Sequence, residues 1–208
     1  MHQGEPMAPP RTAGRSNQKL RTRNAIVQAA VELMRTGREV TMPEVAKAAL
    51  VSEATAYRYF PDLASLLQEA MVGEWPTPAQ ALASVADSDD PVERVAAATE
   101  HLLRNVLAYQ GATRAMIAAT ITRPANASAR PALRFGLIEL ALAPMADAPA
   151  ADPAALAQLK NDLALVISAE ALFTLTDLCG LAPEDAITSA VHTATALTRA
   201  ALRDSAAG

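Results

Sequence analysis

The sequence predicts an all-α protein, and three observations carry that prediction. Just over half of the residues are apolar (51%) while aromatics make up only 3%. The apolar set is mostly Ala, Leu and Val; Ala and Leu favour helix, and the β-branched and aromatic residues that favour sheet are comparatively scarce. Apolar residues also recur three and four apart in one segment after another, which is the spacing of a helix with one buried face. Capping residues or prolines stand ahead of most of these segments, where helices start. A chain of 208 residues has room for a small domain joined to a larger one, and about nine helices are expected.

Residues 1–17 (MHQGEPMAPPRTAGRSN) mix Pro, Gly, Arg and Ser without periodicity and read as a flexible tail. Ile26, Val27, Ala30, Leu33 and Met34 mark the first helix, and Gly37 stands at its C-cap. Thr41 caps the second, Pro43 suits its first turn and Glu44 completes a capping box; this short helix ends near Ala49. Ser52 caps a third, also short, that stops at Phe60-Pro61. Asp62 opens a fourth, in which Leu63, Leu66, Leu67, Ala70 and Met71 form an apolar stripe.

Trp75 to Pro91 holds three prolines and an acidic cluster, and reads as a connection between domains with room for one helical turn. Asp90-Pro91-Val92-Glu93 starts a helix that buries Val92, Val95, Ala96, Leu102, Leu103, Val106 and Leu107. Gly111 is expected to end it, with a shorter helix following to Thr122. Pro124 to Pro131 breaks the pattern, and a helix is expected over 132–142. Asp152-Pro153 opens a long helix to Leu178, closed by Gly180, and Pro183-Glu184-Asp185 opens the last one, to Arg203. The domains so drawn are a tail at 1–17, a small domain at 18–75 and a helical body at 76–208.

The last two helices differ from the rest. On the long one Leu159, Leu163, Val166, Ile167 and Ala171 mark one apolar face, and Leu165, Ala169, Leu172 and Leu175 a second. A helix apolar on two sides needs two partners. On the final helix Ala190, Val191, Ala194, Leu197 and Leu202 form a stripe beside the small residues Ser189, Thr193, Ala196 and Ala200. The pair is expected to build a homodimer interface, a four-helix bundle across a two-fold axis; burial within one subunit is the alternative.

No apolar run approaches the roughly 20 residues that span a bilayer, and residues 1–17 show no apolar core of a secretory signal. The single cysteine, Cys179, has no internal disulfide partner. A cytoplasmic protein without a membrane partner is expected. The net charge of -4 conceals an asymmetry: residues 1–60 carry nine Lys/Arg against five Asp/Glu, whereas the remainder carries nine against 17. A basic head on an acidic body suits a polyanionic partner.

Three helices within residues 20–60, the second and third short and joined by a tight turn, follow the helix-turn-helix plan. The stretch TMPEVAKAALVSEATAYRYFPDLASLLQEAM, Thr41 to Met71, closely resembles the DNA-binding region of the TetR family. The resemblance spans residues 20–72 and rests on a V-A-x-A-A element, then V-S, then A-T-x-Y-x-Y-F-P, then a Leu-rich fourth helix. It implies a transcriptional regulator that binds a palindromic double-stranded DNA operator as a dimer, most simply a repressor released by a small-molecule effector.

The residues suit these roles. Val45, Ala46, Ala49, Val51, Ala56 and Phe60 can lock the two short helices together. Ser52 caps the recognition helix, whose first residues Glu53, Ala54 and Thr55 would reach base edges in the major groove. Glu53 has a second reading, as an acid satisfying the helix dipole. Tyr57, Arg58 and Tyr59 carry donors suited to phosphate oxygens, with Tyr59 equally suited to the core. Thr41 and the amides after it resemble the family's other phosphate contact. Lys19, Arg21 and Arg23 are expected near the duplex; Arg11 and Arg15 belong to the tail, as solvated groups or as minor-groove contacts.

Two positions depart from the family pattern. Leu50 stands where the turn usually has glycine, and a left-handed leucine there costs about 1 kcal/mol. Leu63 stands where the family often has a phosphate-binding lysine, so the salt dependence should flatten by about one unit of slope.

Against an enzyme, the three histidines are His2 in the tail and His101 and His192 far apart on helices, and no HExxH, CxxC or glycine-rich phosphate loop is present. No catalytic residue, metal or cofactor is assigned. The alternative to a DNA-binding regulator is a helical protein–protein interaction module that kept the fold and lost specific DNA binding. Candidate effector contacts in the body are His101, Arg104, Tyr109, Met116, Arg134, Phe135, Glu170 and Phe173. Glu170, a carboxylate near an apolar stripe, would pair with an arginine or hold a cationic ligand.

Overall fold

The computed structural model describes residues 11–122, 133–148 and 152–207, and every regular element among them is helical. Nine helices have seven or more residues: α1 (Arg11–Met34), α2 (Met42–Ala48), α3 (Glu53–Tyr59), α4 (Leu63–Met71), α6 (Pro91–Ala108), α7 (Gln110–Thr122), α8 (Leu133–Ala141), α10 (Pro153–Val166) and α12 (Pro183–Ala207). Three more are four or five residues long: α5 (Pro78–Ala81), α9 (Ala143–Ala146) and α11 (Ala169–Phe173). No helix among the described residues is long and apolar enough to cross a membrane. The break expected at 124–131 lies outside the described residues.

The expected starts are present. Thr41 and Glu44 form a reciprocal capping box, while Ser52, Asp62, Asp90 and Asp152 each accept a backbone N–H in the first turn of the helix they open. Each carboxylate or hydroxyl meets a donor that the helix itself cannot satisfy.

Three expectations change. Helix α1 begins at Arg11, so residues 11–17 are helical rather than tail; after Pro10 nothing in RTAGRSN excludes propagation of the helix toward its N-terminus. Gly111 does not end a helix. α6 stops at Ala108 and Gly111 lies in the first turn of α7, where a Cβ would stand 1.9 Å from the Arg38 carbonyl oxygen. Its role is close approach of two backbones. The long helix expected over 153–178 is broken at Ile167–Ser168. Ser168 is extended (φ −150, ψ 154) and caps α11 by accepting from the Ala171 N–H, while its hydroxyl donates to the Leu165 carbonyl at 2.9 Å. One serine thus closes one helix and opens the next, and a π-helical turn over Thr174–Leu178 completes the segment.

Two cores result. In the body α6 lies along α12 in the most extensive helix pair of the molecule, with Val95, Ala98, Leu102, Leu103 and Val106 facing Ala186, Ile187, Ala190 and Ala194. The alanines of α12 let the two axes come close. The connection holds a helical turn, α5, and residues 78–85 pack into this core through Ala81 and Leu82. Buried Arg94 holds the connection down by donating to the carbonyls of Val85, Ala86 and Ser88 and, from α8, Leu140.

The N-terminal core gathers Ile26, Ala30, Met34, Val45, Ala46, Ala56, Phe60, Leu66 and Leu67, together with Ala112 and Met116 of α7. Helix α7 is therefore shared between the domains. Trp75 packs against both cores, so the boundary near residue 75 is a seam rather than a free linker.

Candidate nucleic-acid interface and effector cavity

Helices α2 and α3 are held at a fixed angle by a turn whose hydrogen bonds can be followed in full. Leu50 N–H donates to the Lys47 carbonyl and Val51 N–H to the Ala46 carbonyl, with Leu50 left-handed at φ 56. This is the Schellman arrangement, which ordinarily carries glycine at the left-handed position. Leu50 is 93% exposed, so its side chain gains nothing from packing to offset the backbone cost.

Of α3, Ala56 and the following Phe60 are buried in the core, while Glu53, Ala54, Tyr57 and Arg58 are exposed. Positions 53, 54, 57 and 58 lie on one face of a helix. The structure therefore brings four of the expected contact residues together on an outward surface. Thr55 is half-buried, and its hydroxyl lies 2.9 Å from that of the capping Ser52. Tyr59 is half-buried against the core, with the Arg58 guanidinium 5.7 Å from its ring centre. Thr41 gives its hydroxyl to Glu44 at 2.8 Å, so a carboxylate already occupies the start of α2.

Lys19 and Arg21 are exposed on α1. Arg23 is not available in the same way. Its guanidinium makes a two-pronged ion pair with Glu69 of α4 and lies over the Phe60 ring at 5.0 Å. A bidentate carboxylate and an aromatic face satisfy it internally, which makes it a brace between α1 and α4. Leu63 packs on the N-terminal core, which accounts for an apolar residue at that position.

Residues 26–70 match the family model described as bacterial regulatory proteins, tetR family. These residues form a helix-turn-helix domain of the TetR type. The crystal structure of a TetR transcriptional regulator from Rhodococcus sp. RHA1 shares the fold, with a TM-score of 0.53 and 24% sequence identity over 86% of this chain and 96% of that one. No curated protein is recognisably similar in sequence. The matched residues are those of α2, α3, most of α4 and the C-terminal part of α1, the segment that carries the outward face of α3.

The seam between the two cores contains a cavity of about 70 Å³. Its walls are Met71 at the end of α4, Trp75, Leu102 and Val106 of α6, Thr113, Met116 and Ile117 of α7, Arg134 of α8, and Ser168, Ala169 and Glu170 at the break. Three of the eight expected effector contacts line it: Met116, Arg134 and Glu170. Arg134 donates to Glu170 at 3.4 Å, which realises the arginine pairing for that carboxylate.

The other five lie elsewhere. His101 is half-buried beside Asn105 on α6, and burial pushes its imidazole below the ordinary histidine value. Arg104 is on the surface between Glu100 and Glu184. Tyr109 stacks on Trp75 and donates to Glu74, which also holds Arg35, the residue after the end of α1. Phe135 is half-exposed, and Phe173 lies under the Arg114 guanidinium at 3.8 Å. The walls that sequence reasoning missed are mostly the apolar faces of α6 and α7, read as core. Trp75, the sole tryptophan, was the signal available, standing between the two domains.

Proposed function

We propose that the chain is a repressor that binds a palindromic operator as a homodimer and releases it when a small molecule enters the cavity at the seam. The observation that carries this reading is the outward face of α3, where Glu53, Ala54, Tyr57 and Arg58 are exposed while Ala56 and Phe60 anchor the helix in the core. Ala54 and Glu53 would meet base edges, and Tyr57 and Arg58 phosphate oxygens, with Lys19 and Arg21 of α1 adding charge near the backbone. Thr55, tied to Ser52, would contribute through its methyl group.

Dimerisation through α10 and α12 is supported by surfaces left open in the single chain. Leu165 of α10 is 75% exposed, and Thr193 and Ala196 of α12 are exposed on its small-residue face. A two-fold pair would set its recognition helices about 34 Å apart, one turn of duplex. Because Met71 and Trp75 belong to the DNA-binding side and the remaining walls to the body, a bound molecule would favour one spacing over another. Operator affinity would fall by the effector's preference for the second spacing.

Selection of bound duplexes from a random pool tests the reading. An enriched palindrome with half-sites about one turn apart is the expected outcome; no enrichment by folded, dimeric protein would favour the interaction module, for which acids at Glu44 and Glu53 beside Lys47 and Arg58 leave the motif without net positive charge. Tyr57→Phe should weaken all sequences alike and Thr55→Ala should alter preference. If both lower affinity without altering preference, α3 is not the reading helix.

A further inference from the structure

The seam cavity is walled from both domains, and its polar side chains are already engaged. Thr113 donates its hydroxyl to the Tyr109 carbonyl at 3.0 Å. Ser168 donates to the Leu165 carbonyl and accepts from the Ala171 N–H. Arg134 and Glu170 pair with each other at 3.4 Å, and both keep part of their surface in solvent. Nε1 of Trp75 and Nε of Arg134 have almost no accessible surface, so neither offers a donor to an occupant. What the cavity presents is mainly carbon and sulfur, from Met71, Trp75, Leu102, Val106, Met116 and Ile117.

We infer that this cavity takes a small, neutral aromatic hydrocarbon, held by apolar contact and dispersion without a directional hydrogen bond. The inference rests on the reading of the cavity as the effector site and names the class of molecule. A buried water needs about two to four polar partners. Side chains engaged elsewhere supply few, so water in this cavity is readily displaced. A hydroxyl or amide carried in by a ligand would lose its hydration for the same lack of partners. A charged ligand would have to part Arg134 from Glu170 or lie against the like charge of one of them. Aromatic character follows from the walls, because the thioethers of Met71 and Met116 and the Trp75 ring make favourable contacts with ring faces and edges. A space of about 70 Å³ limits the occupant to about one ring.

The sole tryptophan lines the cavity and reports on it. Benzene is the probe, added to the full-length protein, with phenol, benzoate and benzylamine as its polar and charged counterparts. Benzene should shift the single indole N–H resonance and the methyl resonances of Met71 and Met116 in a saturable manner, the methyls being assigned with Met71→Leu and Met116→Leu. Phenol should bind at least about tenfold more weakly, and benzoate and benzylamine more weakly still. Thr113→Val, which removes a hydroxyl already bonded to the backbone, should leave the affinities for benzene and phenol unchanged. Ala169→Leu, which enlarges a wall residue, should abolish the benzene shifts. The inference is overturned if benzene gives no saturable shift, if phenol or a charged counterpart binds as tightly as benzene, if Thr113→Val loses phenol affinity, or if Ala169→Leu leaves benzene binding intact. Benzene that fills the cavity yet leaves operator affinity unchanged would sustain this inference and count against the effector reading.

Discussion

The N-terminal domain and the body hold their helices by different means. Helices α2, α3 and α4 are seven, seven and nine residues long, too short to persist alone, and each starts on a side chain that accepts from its own backbone. The body rests on α6 and α12, 18 and 25 residues long, packed along each other through alanines and branched aliphatics. Local bonds fix a shape residue by residue, which suits a helix that must meet a target of fixed dimensions. Side-chain packing between long helices permits breaks such as Ile167–Ser168, which help to line a cavity. The two modes meet where α7 lends Ala112 and Met116 to the N-terminal core.

The largest effect should come from the buried polar anchor of the body. Arg94→Met removes a buried guanidinium that donates to four carbonyls, of which that of Val85 keeps the Ser88 N–H as a donor. A loss of about 3 kcal/mol is expected, read from urea unfolding. A loss within error would mean that packing alone holds residues 83–88 and that the contrast between the regions is complete.

The seam gives the next effect. In Gly111→Ala the added Cβ would stand 1.9 Å from the Arg38 carbonyl oxygen, a backbone atom that cannot rotate away. The loop between α1 and α2 or the start of α7 must shift, at a cost of about 2 kcal/mol. Operator affinity should fall together with stability, since that loop leads into α2. If stability drops while affinity at saturating folded protein is unchanged, the seam does not transmit displacement to the DNA-binding side.

Both predictions follow from features of unequal legibility. The starts of α2, α3 and α4 could be read directly, because Thr41, Ser52 and Asp62 act within three residues of themselves, and the αL demand at Leu50 followed from the turn. The break at Ser168 could not be read, because serine is tolerated inside helices and only the surrounding packing decides whether it caps or continues. Arg23 was placed at the DNA surface because sequence shows its charge but not Glu69, 46 residues away. The cavity was half legible for the same reason: Met116, Arg134 and Glu170 lie on helices that converge only in three dimensions.

Leu50→Gly sharpens the contrast with a gain rather than a loss. Glycine relieves the left-handed strain at φ 56, and an exposed leucine forfeits no packing, so a stabilisation of about 1 kcal/mol is expected. Thermal unfolding followed together with operator affinity checks it. A destabilisation would show that the leucine makes a contact in the dimer or on DNA that outweighs the strain.

The smallest effect separates the regions by pH. Asp177, in the π-helical turn, is held below the ordinary carboxylate range, first by the hydrogen bond from Arg114 and then by that from Thr176. A carboxyl whose folded value is depressed contributes stability that is full above its unfolded value, about 3.9, and is lost as pH falls through the lowered folded value. Asp177→Asn should therefore change stability slightly at neutral pH and not at all at strongly acidic pH, where the wild-type group is also neutral. The pair is exposed and screened, so the difference should shrink with added salt. A mutant whose deficit persists in acid would show that Arg114 is held on Phe173 by geometry that Asp177 supplies without its charge, and the body would then depend on a local polar bond of the kind that governs the N-terminal helices.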